Sequence, residues 1–573
     1  MKRSWQISPK PTVVEQQLID KLAKKHNYPQ ILIQILVKRG FKTEKEILEF
    51  LHPSKADFCN PMLLTGMDKA THAVKEAIEK KKRITIYGDY DVDGITSVSM
   101  MYRGLKQLYP NVTYFIPDRM EDGYGLSISS IDSLVEIGSQ LVITVDCGVN
   151  SVKEVDKLKN LGIDTIITDH HLPKPLLPNA IAILNPKLHG SIYPNKELSG
   201  VGVAYKLLCS IFVALGRDDL LNDNSFLSFV ALGTISDIVP LTIENRAFVH
   251  FGFKQIKKRG NIGIDTFVNR LKLREKKIKS TDVVFGIAPR LNSTGRMAQA
   301  RIAVELLTTN ERSVAESLFN KIEKLNSQRR GIELSVYNDA CYQIENKYQD
   351  LDKMKCIVLS GEDWHPGVVG IVASKLVEKY YRPAFLFSEK DGVARASCRS
   401  IPDLNIIEAI GAAKDLVINY GGHKYAAGVS LLSEYLEQFE TKIYNYISST
   451  ADDSIFKPKI KVECEIELNQ IDRGLIDWLK KMAPFGPSNH KPNFISRAVR
   501  IDGYPRLVGQ NSIKFRAKKG GGSLDLIGFN MIELYSQISR FSLVDIVYSL
   551  DINIWREREN IQGYLKDVYL HKP

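Results

Sequence analysis

The sequence predicts an α/β protein built on a parallel sheet, followed by a second α/β unit and a small antiparallel barrel. Three observations carry this. Short apolar runs at Ile84–Tyr87, Leu141–Val145, Ile163–Thr168 and Ala180–Leu184 alternate with helical stretches such as Gly94–Leu108 and Val152–Leu161, the pattern of βαβ units. An apolar stripe of Val314, Leu318, Ile322, Leu325, Ile332, Val336, Ala340 and Ile344 keeps near-helical spacing and predicts one long helix over about Ser313–Tyr348. Beyond it, strand-like runs at Cys356–Leu359, Ala384–Phe387 and Val393–Cys398 give way to period-two alternation at Ile460, Val462, Cys464, Ile466 and Leu468, and again near Ile546–Ile554.

Ahead of the first strand, about Gln16–Leu51 reads as helical. Ile31, Ile35 and Leu36 recur before Gly40, and Thr43 with Glu46 forms a capping box ahead of Ile47, Leu48 and Leu51. A length of 573 residues allows about three to five domains. With 44% hydrophobic and 25% charged residues, overall disorder is excluded. The net charge of +12 suits a polyanionic partner, although a solvated basic surface gives the same number, so local motifs must decide. The 7 cysteines are scattered and form no CxxC pair, which argues against a zinc or disulfide framework and for free thiols in a reducing compartment. The segment MKRSWQISPK has no apolar signal core, and Ile31–Val37 is too short to span a bilayer. The expectation is a cytoplasmic protein with no membrane association.

Acidic residues follow three of the predicted strands. Gly88-Asp89-Tyr90-Asp91-Val92-Asp93-Gly94 leaves the first and enters a helix. Three carboxylates this close repel one another, and divalent cations relieve that repulsion; a solvated acidic turn is the plain alternative. Asp146 ends the next strand in Thr144-Val145-Asp146-Cys147-Gly148, where it suits a bridge between two metals or a capped turn. Asp169-His170-His171 ends the third. Imidazole plus carboxylate suits divalent metals. Adjacent histidines point to opposite sides of an extended chain, so one is cast as ligand and the other as a donor to substrate. Asp237 stands in the apolar run Gly233-Thr234-Ile235-Ser236-Asp237-Ile238-Val239-Pro240-Leu241, where a buried acid needs a metal or an ion pair. In open α/β sheets ligands bind beyond the carboxyl ends of the strands.

Together these motifs resemble the DHH phosphoesterase superfamily, and within it the RecJ-type branch. The likeness extends to Ser199-Gly-Val-Gly202, to Trp364-His365-Pro366-Gly367-Val368-Val369-Gly370-Ile371 and to Gly421-Gly422-His423-Lys424-Tyr425-Ala426-Ala427-Gly428. It covers most of the chain in one order. Two places depart from the pattern: Ser293-Thr294 where small alanines precede Gly-Arg, and Pro487-Ser488-Asn489 where a Gly precedes the Asn.

The resemblance implies an N-terminal helical region (1–68), a DHH catalytic domain (69–305), a connecting helix (306–350), a DHH-associated substrate-binding domain (351–450) and a C-terminal OB-fold barrel binding nucleic acid (451–573). It implies a 5′→3′ exonuclease specific for single-stranded DNA, using two Mn²⁺ or Mg²⁺ ions, in DNA repair and recombination. By motif position Asp91, Asp93, Asp146, His170 and Asp237 hold metal, with Asp146 bridging, and His171 faces the scissile phosphate. Asp89 and Asp169 are cast as orienting ligands or backbone. Arg119, Arg290, Ser397, Arg399 and His423 are the implied substrate contacts; for any one alone, a surface salt bridge is the plainer reading. In the C-terminal region Tyr504, Arg506, Lys514, Phe515, Arg516, Lys518 and Lys519 interleave rings with cations, which suits stacked bases or, for half of them, barrel core and rim. The family implies a RecQ-like helicase and a single-strand binding protein as partners of a monomer. Two rivals stand beside this reading: a DHH nanoRNase or phosphatase on short oligonucleotides or small phosphate substrates, and a non-catalytic DNA-binding scaffold. Length and the basic C-terminal region argue against the first, and the filled ligand positions against the second.

Overall fold

The computed structural model describes residues 3–118, 125–222, 225–348, 350–351, 353–538, 542–555 and 558–571. It forms two compact units. The larger comprises Trp5–Gly295, Ala300–Asn320 and Ile460–Pro573; the smaller comprises Met1–Ser4, Arg296–Gln299 and Lys321–Lys459. The boundary after Asn320 falls inside a single helix, Arg312–Lys347, where the apolar stripe placed one long helix.

The larger unit holds the predicted parallel sheet. Its strands are β1 (Ile84–Gly88), β2 (Val112–Phe115), β3 (Leu141–Val145), β4 (Asp164–Thr168) and β5 (Ala182–Leu184), in the order β2-β1-β3-β4-β5, all parallel. β1 and β3 are buried at every position, which is why they read as continuous apolar runs rather than as alternation. The edge strand β2 was not foreseen. It has four residues, three of them only partly buried, and too little apolar run to signal itself. The helix Phe226–Ser236 is buried from Phe226 to Ile235, so its sequence carries no amphipathic stripe.

The smaller unit carries β6 (Ile357–Gly361), β7 (Ala384–Lys390), β8 (Val393–Arg399), β9 (Val417–His423) and β10 (Ala426–Leu432), ordered β9-β10-β8-β7-β6. Only β6 and β7 pair in parallel; the other neighbours are antiparallel.

The C-terminal barrel belongs to the larger unit. Strands β11 (Asn493–Val508), β12 (Ser512–Lys519), β13 (Gly522–Gly528), β14 (Leu543–Trp555) and β15 (Arg558–Leu570) pair in the circuit β11-β12-β13-β15-β14, and β14 returns to β11. This closes the barrel, with one parallel step between β13 and β15. The alternation from Ile460 to Leu468 is not one strand. It breaks into Lys459–Val462 and Cys464–Glu465, and Leu468 opens a short turn of 3₁₀ helix. Val462, Cys464, Ile466 and Leu468 are nonetheless all buried, and that common face produced the period-two signal.

The N-terminal helices Val13–His26, Gln30–Lys38 and Glu44–Leu51 include the expected Thr43–Glu46 capping box. They do not form a core of their own. Ile19, Leu22, Leu32, Leu36 and Ile47 share one apolar cluster with Leu475, Phe494, Ile501 and Val544 of the C-terminal region. Arg39 reaches the same region, donating to Glu463 and to the Asn489 side chain. The fully buried Arg246 of the helix Ile243–Ile256 donates to the backbone carbonyls of Lys481 (2.9 Å) and Ala483 (3.0 Å), at the C-terminal end of the helix Arg473–Lys481. A cation there complements the helix dipole.

Candidate metal centre and substrate contacts

Every strand-end acid singled out in the sequence lies at one edge of the parallel sheet. After β1, Asp91 caps the helix Val92–Lys106: its Oδ1 accepts the N–H of Asp93 (2.9 Å) and of Gly94 (3.1 Å). Asp93 is buried one step later. Its two oxygens accept the N–H groups of Gly200 (2.6 Å) and Val201 (3.0 Å), the first residues of the helix Gly200–Ala214. After β3, Asp146 takes a left-handed conformation (φ 63), which carries a steric cost for a residue with a Cβ and turns its carboxylate from the strand path. After β4 come Asp169, His170 and His171. Asp237 ends the helix Phe226–Ser236 and precedes Ile238, also left-handed at φ 61.

These groups converge. His170 Nε2 lies 3.2 Å from Asp146 Oδ1 and 3.4 Å from Asp237 Oδ2. None of the three atoms is aligned for a hydrogen bond with any described residue, and all three are buried. Three donor sets have their ligand atoms within 4.8 Å of one another: Asp93, His170 and Asp237; Asp89, Asp91 and Asp146; and Asp146, His170 and His171. Asp146 belongs to two of them. Carboxylate oxygens are the donors that Mn²⁺ and Mg²⁺ take, a neutral imidazole nitrogen adds a donor for a transition metal such as Mn²⁺, and buried acceptors without donors are what a bound cation satisfies. The residues present therefore fit two divalent ions. Geometry does not set Asp89 apart from Asp91, although position in the motif cast Asp89 as an orienting residue.

The electrostatics agree. Burial, then the charge of Asp91, raises Asp93 to about 7. Burial and the charges of Asp93 and Asp91 push Asp146 and Asp237 well above the ordinary carboxylate range. Burial, with neighbouring His171, drives His170 down to about 3, so its imidazole is neutral and available as a ligand. Asp169 behaves differently. Burial opposes its charge, but the hydrogen bond and charge of His171 hold it at about 2. Its oxygens accept the N–H of Val149 (2.9 Å), of His170 (2.7 Å) and of His171 (3.1 Å), and contact His171 Nδ1 at 2.7 Å. It thus holds the histidine pair in place. For His171, burial is outweighed by Asp169, and the imidazole is raised above its usual value.

Two further residues were missed in the sequence, and two glycines of quoted motifs have a role that was not read there. Lys187 puts a positive charge toward both His170 and Asp237. Buried Asn185 donates to the His171 carbonyl (2.9 Å). Both lie just beyond the carboxyl end of β5, and that position was the signal available. The glycines are Gly200 of the Ser199–Gly202 motif and Gly233 of the run that ends in Leu241. A Cβ on Gly200 would lie 2.3 Å from Asp146 Oδ1, and one on Gly233 would lie 2.5 Å from Asp93 Oδ1.

Of the proposed substrate contacts, Ser397 and Arg399 lie on β8 and His423 ends β9, all in the smaller unit. Ala426 pairs with Arg399 on one side and His423 on the other, so the three form one row across the sheet. Gly370, in the helix Pro366–Tyr380, packs over Ser397 and Arg399; a Cβ there would meet both side chains at 3.2 Å. Arg290 belongs instead to the larger unit, on the helix Ala288–Met297, where its Nη1 donates to the Gly286 carbonyl (2.8 Å). Arg119 lies outside the described residues. The departures at Ser293 and Thr294 are absorbed locally: both are buried, and their hydroxyls donate to the carbonyls of Arg290 (2.6 Å) and Leu291 (2.7 Å). In the barrel, Phe515 is core, and Arg516 and Lys519 are paired with Asp525 and Glu467, while Tyr504 stays 72% exposed.

Known proteins carry the same parts in the same order. The DHH family, N-terminal domain, matches residues 83–234, the DHHA1 domain 353–449 and the RecJ OB domain 462–567. The single-stranded-DNA-specific exonuclease RecJ of Bacillus subtilis is 37% identical over 572 residues, covering 99% of this chain and 71% of that protein. Its namesake in Haemophilus influenzae is 34% identical, over 94% of this chain and 95% of the relative. This chain belongs to the RecJ family. The crystal structure of RecJ in complex with Mn²⁺ from Thermus thermophilus matches 100% of this chain and 80% of its own, with a TM-score of 0.84 at 26% identity. The Mg²⁺ complex from the same source gives 0.79 at 25%, over 100% of this chain and 78% of that one. The RecJ assignment accounts for the order of sheet domain, long helix, second α/β unit and closed barrel. No helix among the described residues is long and apolar enough to cross a membrane.

Proposed function

We propose that this chain is a metal-dependent exonuclease that degrades single-stranded DNA from its 5′ end, in DNA repair and recombination. The observation that carries the reading is the convergence of Asp91, Asp93, Asp146, His170 and Asp237 at the carboxyl edge of the sheet in a RecJ-family chain matched over nearly its whole length. Those five residues would hold the ions, and Asp146, common to two of the donor sets, is the one suited to serve both. Two divalent ions supply a hydroxide-like nucleophile and charge for the leaving oxygen of an in-line displacement. The protein does the rest. Asp169 fixes the histidine pair, so that His171 faces the scissile phosphate as a hydrogen-bond donor. Asp93 is itself held by the amide groups opening the helix Gly200–Ala214, which keeps the ligand set preorganised.

Direction requires a group that reads the strand's end, because a phosphodiester looks nearly alike from either side. Ser397 and Arg399, side by side on β8, are proposed as contacts to the 5′-phosphate, and Arg119, Arg290 and His423 are each proposed as substrate contacts. A terminal phosphate carries more charge than an internal one and suits such donors. The protein is further proposed to work as a cytoplasmic monomer with a RecQ-like helicase and a single-strand binding protein supplying its substrate.

The test is hydrolysis of end-labelled strands with Mn²⁺ or Mg²⁺. Mononucleotide release from the 5′ end of single strands, and not from duplex, is expected. Activity confined to oligonucleotides of a few residues returns the nanoRNase reading, and strand binding without hydrolysis returns the scaffold.

A further inference from the structure

The helix carrying Arg290 is not regular at its start. Ser280–Asp282 is one turn of α-helix, Val283–Ile287 is a turn of π-helix, and Ala288–Met297 resumes the α form. The cause is Pro289. It has no N–H for the Phe285 carbonyl, and its ring crowds that carbonyl in an α-helix. The backbone widens instead, and the Ala288 N–H donates to Val283, one residue further back than in an α-helix. Arg290 Nη1 takes up the Gly286 carbonyl, at 2.8 Å.

The widened turn pushes one ring outward. Phe285 is 77% exposed, between the buried Val283 and Ile287. A solitary exposed phenylalanine needs no explanation on an ordinary surface. Here it sits on an irregular turn that gives up regular hydrogen bonding, next to a guanidinium. The preceding loop adds exposed Lys272, Lys276, Lys277 and Lys279 against one exposed acid, Glu275; Lys276 and Lys279 are paired with Asp282 and Asp551, which leaves the segment with an excess of positive charge. The far end of the same helix abuts the acidic loop, since a Cβ on Gly295 would lie 2.7 Å from the Tyr90 carbonyl. About ten residues of helix separate the two, or about 15 Å of rise, a span of a few nucleotides.

We propose that Phe285 is a stacking platform for a base of the bound single strand, a few nucleotides from the scissile bond, with Arg290 beside it on the backbone. The occupant is a nucleobase because the surrounding surface is cationic and every base offers a flat π face. This rests on the single-strand nuclease reading above.

The probe is an oligodeoxythymidylate with phosphorothioate linkages at its 5′ end and one 2-aminopurine, moved position by position. Wild type and Phe285→Tyr should quench one position a few nucleotides from the 5′ end. Phe285→Ala and Phe285→Leu should not, and should raise KM on long strands about tenfold while leaving kcat on a dinucleotide unchanged. Equal quenching and equal KM in Phe285→Leu overturns the proposal, because leucine keeps the apolar surface and loses only the ring. So does unaltered strand binding by Phe285→Ala together with lost self-association, which assigns the ring to a protein contact. A wild type that quenches this probe but releases no nucleotide from the unmodified strand sinks the nuclease reading and leaves the stacking intact.

Discussion

Gly200 lies so close to Asp146 that a single added carbon would stand 2.3 Å from the carboxylate Oδ1. The same glycine donates its N–H to Asp93. Gly200→Ala should therefore damage the metal centre without removing any ligand. We expect Mn²⁺ affinity to fall about 10–100-fold, the usual cost of disturbing groups behind a ligand, and activity to fall with it. Titration calorimetry with Mn²⁺ checks this; wild-type affinity would show that the helix start yields without moving the carboxylates.

The two histidines should separate by experiment. His170→Ala removes an atom within 3.4 Å of both Asp146 and Asp237, so Mn²⁺ binding and turnover should be lost together. His171→Ala should keep most Mn²⁺ binding and lose turnover. If His171→Ala loses metal as fully as His170→Ala, the third donor set that includes His171 is the one in use.

Without metal, the cluster should make stability depend on pH. Asp93, Asp146 and Asp237 all have raised pKa values in the folded state, Asp93 at about 7, against an unfolded value of about 3.9. Their protonated forms are therefore favoured by folding, and stability is lost as pH rises from the ordinary carboxylate range through 7. His170, lowered to about 3, acts in the opposite sense as pH falls below its usual value, but it is one group against three. In chelator the melting temperature should drop between pH 5 and pH 8, and Mn²⁺ or Mg²⁺ should remove the slope. A slope unchanged by metal would place these acids outside the metal site.

Arg399→Ala should cost about tenfold in kcat/KM on 5′-phosphorylated strands, from the loss of a charge-assisted hydrogen bond of about 1.5–3 kcal/mol. The loss should be smaller on 5′-hydroxyl strands. Equal losses would make Arg399 a general backbone contact.

Ser488 holds φ 58, a left-handed conformation that a side chain resists. It precedes buried Asn489, whose amide donates to the carbonyls of Met482 and Pro484. The loop is thus pinned from one side. Ser488→Gly should stabilise the protein by about 1 kcal/mol, from relief of left-handed strain. Chemical denaturation measures it, and a loss of stability would mean that the serine side chain contributes more than its backbone costs.

The proposed ligands Asp91, Asp146 and His170 were legible because each follows a strand whose apolar run is unmistakable, so position and chemistry reinforced each other; Asp237, at a helix end, was legible only as an acid in an apolar run. The long helix was legible from its stripe. What stayed hidden depended on distance in sequence. Nothing near Gly200 or Gly233 announces that each backs onto a carboxylate from a different element. Lys187 looks like any lysine until β5 places it beyond the sheet edge. The π turn at Val283–Ile287 follows from Pro289, but the sequence alone does not distinguish a widened turn from a helix start. The edge strand β2 was too short, and β9, mostly exposed, has no apolar pattern to read.

Ile19, Leu32 and Leu36 bury themselves against Phe494, Ile501 and Val544. A ribosome finishes the first group more than four hundred residues before the second. Throughout that interval the early helices carry apolar faces with no partner, long enough to meet a chaperone or another nascent chain. Such distant pairing also slows the closing step of folding. Deleting the barrel to make a smaller enzyme would leave those faces permanently bare, so a soluble shortened version has to lose both segments at once.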